Sequence, residues 1–140
     1  MSTIATSAVP STTSVARNSA ELLGRILLVA LFLISGLGKI TAYDATAGYM
    51  AAMGVPGIAL PAVIALEVLG SVAIILGFQT RLVAAVLAGF TLATGVIFHN
   101  NFADQMQMIM FLKNVSIAGA FLMILANGAG AFSIDAKSAK

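Results

Sequence analysis

The chain has 140 residues, of which 60% are hydrophobic and only 9% charged, with a formal net charge of +2. Soluble domains carry about 25% charged residues, so this composition excludes a water-soluble globule and points to a one-domain integral membrane protein. The seven Lys and Arg residues form no basic run, which excludes a nucleic-acid surface, and the absence of Cys excludes disulfides, thiolate metal sites and iron–sulfur clusters.

Residues 1–18 are rich in Ser, Thr and Ala without sustained periodicity and read as a disordered polar tail. The apolar runs that follow predict four membrane-spanning helices over 21–40, 58–78, 82–98 and 108–126, an all-α four-helix bundle occupying residues 19–128. The small-x-small string Ala45-Thr46-Ala47 lies too far past the first run for a cleaved signal peptide, with Lys39 and Asp44 between. Pro61 falls in the first turn of the second span and Gly77 near its end, as helix starts and stops require. The link at Gln79-Thr80 is so short that the second and third spans must be antiparallel neighbours. On the third span Ala85, Gly89 and Ala93 recur every four residues, a stripe suited to close helix packing. Residues 129–140 form a short polar end.

Four spans put the N-terminus, the Arg81 turn and the C-terminus on one side, together with Arg17, Lys137 and Lys140, and with Arg25 just inside the first span. The other side has only Lys39 and Lys113. The positive-inside rule then places both termini in the cytoplasm and the 41–57 and 99–107 loops outside.

Glu67 is the one ionisable residue in the run 58–78. A helix there just crosses a hydrocarbon core about 30 Å thick, which places the carboxylate near the midplane. Such a group costs several kcal/mol unless paired or protonated and is a functional-site candidate by default. Lys39 and His99 fall at the outer ends of the first and third spans, and Lys113-Asn114 about 8 Å inside the fourth. Arg25 and Lys39, about four turns apart, share one face of the first helix. Each has a plainer explanation: Lys39 and Arg25 as snorkelling cations, His99 as an interfacial residue, and Glu67 locked structurally to Lys113 or Arg25. Five ionisable side chains aimed inward exceed what one structural pair requires, and they predict a converging polar pocket.

These residues also carry a resemblance. Gly24-Arg25, Ser35-Gly36-Leu37-Gly38-Lys39, Tyr49-Met50 with Gly54-Val55-Pro56, Glu67-Val68-Leu69-Gly70, Gly77 with Thr80-Arg81, His99 and Lys113-Asn114 stand in an order that resembles DoxX-like membrane proteins over residues 21–126. The resemblance implies a four-helix inner-membrane protein associated with respiratory or detoxifying redox systems, including thiosulfate oxidation coupled to quinone, often beside soluble partners. It supports the fold better than any one reaction.

The leading expectation is a site for a quinone or another small redox-active or anionic molecule. Glu67 and His99 would exchange protons, and Lys39, Lys113, Asn114 and Arg25 would bind. No metal is expected, and electrons would come from a donor or redox partner protein. A non-catalytic membrane anchor is the first alternative, and the chain leaves a homo-oligomer open. A Cu(I) or small-solute conduit is the second, since Met50, Met53, Met106, Met108 and Met110 lie in the outer loops near His99. Gly36-Leu37-Gly38-Lys39-Ile40 has the outline of a phosphate loop but lacks its first Gly and its Ser or Thr, and a single His excludes bis-histidine haem ligation.

Overall fold

The structure, a computed structural model, describes residues 11–139; residues 1–10 of the expected tail lie outside the described residues. The first helix, α1, spans Thr12–Thr41 and starts where the Ser11 side chain accepts the Ser14 amide at 3.2 Å. The expected tail therefore ends earlier than composition suggests. Once the membrane-spanning part has formed, extending a helix through residues free of Gly and Pro needs no new nucleus. The chain then bends at Ala42 into α2 (Tyr43–Ala52), so the expected outer loop is partly helical. A 3-10 turn at Gly57–Ala59 leads into α3 (Leu60–Leu76), with Pro61 in its first turn, as expected. Gly77 ends α3 in the left-handed conformation (φ 68°). After this tight turn come α4 (Thr80–Phe98) and α5 (Gln105–Asn127), the latter capped by the Asp104 carboxylate on the Met106 and Gln107 amides. A short α6 (Ile134–Ser138) closes the described chain. Helices α1, α3 with its leading turn, α4 and α5 are each long and apolar enough to cross a membrane, and no strand occurs among the described residues.

The four spans pack in the ring order α1, α3, α4, α5. Two seams of that ring are drawn tight by glycine, and a third has a glycine at ordinary contact. A Cβ on Gly36 of α1 would stand 2.8 Å from the Val68 side chain and 3.0 Å from Glu67 Cβ, so only glycine permits this approach to α3. Gly70 meets Leu87 across α3–α4, and Gly95 meets Asn114 across α4–α5. The fourth seam, α1–α5, is bridged instead by two rings, Phe32 against Phe121 edge-on at 5.5 Å. Those rings join Val29, Ile74, Ala84, Leu87 and Ala88 in the core. The packed face of α4 is thus Ala84, Ala88, Thr91 and Gly95; of the stripe expected to pack, Gly89 is exposed with open space where a Cβ would stand, Ala93 is exposed and Ala85 is half-buried. Leu27, Ile34, Ile58, Leu69 and Met123 cover the outside, a surface tolerable only against lipid.

One end of the bundle gathers the start of α1, the α3–α4 turn and residues 128–139; it is called here the terminal end. The other, carrying α2 and residues 99–104, is the loop end.

Candidate functional site: a capped cavity around Lys39 and Glu67

Helical side chains lean toward the N-terminus of their own helix. Because α1 runs from the terminal end to the loop end, Lys39 leans inward, toward the middle of the membrane. Helix α3 runs the opposite way, so Glu67 leans up toward Lys39. The two meet: Lys39 Nζ donates to Glu67 Oε2 at 2.9 Å and to Oε1 at 3.1 Å. Ser35, one turn before Lys39, also accepts from the ammonium and donates to Glu67 Oε1 at 3.5 Å. Glu67 is 5% exposed, while the Lys39 side chain keeps 23% of its surface open. The partner of Glu67 is therefore Lys39 rather than Lys113 or Arg25, and Lys39 points away from the headgroups it was free to reach.

The pair sits in a cavity of about 410 Å³, within the range typical of small-molecule sites. His99, Lys113 and Asn114 line the same space, among walls that include Phe32, Phe90 and Ile117. His99 Nδ1 bonds Gln107 Oε1 at 3.0 Å; an amide oxygen accepts, so Nδ1 is the donor in this contact. Asn114 uses its amide nitrogen to hold α4, on the Thr91 carbonyl at 3.1 Å and the Thr94 hydroxyl at 3.3 Å. Lys113 makes no ion pair or hydrogen bond among the described residues. With Lys39 and Glu67 cancelling, the cavity retains one uncompensated cation. Helix α2 lies across its loop end: Thr46, Tyr49 and Met50 line the cavity, Tyr49 stacks on Phe98 at 5.5 Å, and Met50 is buried. Sequence reasoning missed Ser35 and this lid. Ser35 was signalled by its place one turn before Lys39, whereas the lid had no local signal. Of the outer-loop methionines only Met50 lines the cavity, and no cluster of three or more metal-binding His, Cys, Asp or Glu exists among the described residues.

Arg25 is elsewhere. Leaning toward the start of α1, it points to the terminal end, about 20 Å along the helix from Lys39. It is 3% exposed and donates to the carbonyls of Ile74 and Ile75, each at 2.8 Å, and to that of Phe132. It thus holds the last carbonyls of α3 together with the segment after α5. The same segment is fastened again by Asp135, whose carboxylate accepts the Gln79 and Thr80 amides at 2.9 Å and whose own amide donates to the Gly77 carbonyl. Burial pushes the Asp135 carboxyl up, but the Thr80 side chain, the Thr80 and Gln79 amides and the Arg25 charge outweigh it and hold the group below the ordinary carboxylate value. Arg81 adds bonds to the Leu125 and Ala126 carbonyls at the end of α5. Arg25 is a structural clamp, not a member of the cavity.

The match to known proteins agrees with this architecture. The DoxX family profile matches residues 20–100, more than half of the chain. The chain belongs to the DoxX family. Inner membrane protein YqjF of Escherichia coli K12 is 53% identical over 114 residues, 81% of this chain and 88% of the relative. Inner membrane protein YphA of the same strain is 44% identical over 121 residues, 81% of this chain and 86% of the relative. No solved structure matches. This DoxX-family chain is therefore a multi-pass inner-membrane protein embedded in the lipid bilayer.

Proposed function

We propose that the cavity binds a quinone or another small redox-active or anionic molecule, and that the protein is a subunit of, or accessory to, a membrane redox system. The observation that carries this reading is Lys113: an ammonium without a partner among the described residues, facing an apolar-walled cavity in which the other cation is already paired. An unpaired charge within a span is costly, and a ligand with carbonyl or anionic oxygens would relieve that cost. His99 and the Lys39–Glu67 pair supply protons within reach of such a ligand. Reduction of a quinone to a quinol takes up two electrons and two protons. The chain has no evident electron carrier of its own, so a donor or partner protein brings the electrons. A second reading, a membrane anchor, draws on the closure of the Lys39–Glu67 pair, which could lock the bundle without chemistry.

The test is purification in mild detergent followed by identification of what is retained. The binding reading expects a lipid-soluble compound held by wild type and lost in Lys113→Met, with thermal unfolding unchanged. Equal retention by Lys113→Met and Glu67→Gln would remove the site. A stoichiometric protein without any small molecule would favour the anchor.

A further inference from the structure

The cavity has walls of unequal strength. Two seams beside the cavity are closed by glycine, α1–α3 at Gly36 and α4–α5 at Gly95. The Gly70–Leu87 contact of α3–α4 lies just beyond it toward the terminal end, and the loop end is covered by α2. The fourth seam, α1–α5, is held apart by Phe32 and Phe121, which form a floor rather than a wall. Leu31, beside Phe32 on α1, and Lys113 with Ile117, toward the loop end from Phe121 on α5, line the cavity from its two sides. Leu31 is 46% exposed and Lys113 is exposed as well, so residues of the cavity are also residues of the outer surface. That surface is the one covered by lipid. We propose that the α1–α5 seam is a lateral portal, and that the occupant is a membrane-dissolved amphiphile that enters from the bilayer. Its acceptor-rich head lies at Lys113, and its apolar body extends through the seam past Leu31 and Ile117. The inference rests on the binding reading above and narrows it, because a water-borne anion would have to pass the α2 lid.

The chain contains no Trp, so a single Phe90→Trp substitution makes the cavity its own reporter. The variant is reconstituted in vesicles and its fluorescence quenched with two probes, decylbenzoquinone in the membrane and a naphthoquinone sulfonate in the water. Leu69→Trp, on the lipid-facing side of α3, gives the non-saturating collisional baseline. The portal predicts saturable quenching of Phe90→Trp by the decyl probe and none by the sulfonate. It also predicts that Leu31→Phe or Ile117→Phe slows the onset about tenfold, the scale of overpacking a fitted path. Leu31 lies at the surface and Ile117 is half-buried, and either substitution suffices if the other fails to fold. Saturable quenching by the sulfonate, or an onset indifferent to both fillings, overturns the portal while leaving the cavity as a binding site. Quenching that saturates with neither probe overturns both.

Discussion

At the scale of single residues, the direction of a side chain decides more than its depth. Glu67, Lys39, His99, Lys113 and Asn114 were legible in the sequence because polar residues in apolar runs have few places to go. The partner of Glu67 was not, because face and depth alone do not say which way a side chain leans along its helix. Taking the lean into account, Lys39 and Glu67 converge and Arg25 diverges. The pair has a measurable signature. Removing one member of a buried pair leaves an uncompensated charge, so Lys39→Met should lower stability by about 3 kcal/mol. Lys39→Met combined with Glu67→Leu should recover most of that loss, as read by thermal unfolding in detergent. Strictly additive losses would show that the two residues do not stabilise each other.

Secondary structure divides into what apolar runs specify and what long-range contacts specify. The four spans follow from the runs, and their boundaries shift only where a cap such as Ser11 or Asp104 sits outside the run. Helices α2 and α6 were not legible, since each is short and is held by contacts with distant elements, α2 by Phe98 and α6 by the α3–α4 turn. The packed face of α4 was misread for a related reason: small-residue spacing marks a possible contact, while the bulk of the facing helix selects the real one. Two measurements address these joints. Gly36→Val drives a side chain into Val68 and should cost about 1–3 kcal/mol by overpacking, again read as lost thermal stability. The α6 clamp should depend on pH. Because folding lowers the Asp135 pKa, its contribution is complete above the ordinary carboxylate value, about 3.9, and fades as pH falls through the depressed one. Protease cleavage within residues 128–139 should therefore accelerate on acidification in wild type and be fast at every pH in Asp135→Asn. A wild-type rate that is flat with pH would contradict the clamp.

For the whole molecule, Ser11 and Ala139, the ends of the described chain, lie at one end of the bundle. The basic residues orient it: Arg17, Arg25, Arg81 and Lys137 belong to the terminal end, so that end should face the cytoplasm. The natural absence of Cys makes the check direct. An impermeant thiol reagent applied to intact cells should label a cysteine introduced at Asn101 and leave one at Ser138 untouched; the reverse pattern would invert the topology. The terminal end also bears on the order in which the protein is made. Arg25 belongs to the first span to emerge from the ribosome, yet one of its three carbonyl partners, Phe132, lies 107 residues later. During synthesis this guanidinium enters the membrane before any of its acceptors exists, gains two when α3 arrives, and gains the third only when the final segment is translated. The bundle is thus fastened last at a charge of its first span, and a released chain truncated before residue 132 should have its four spans inserted but its terminal end unlatched.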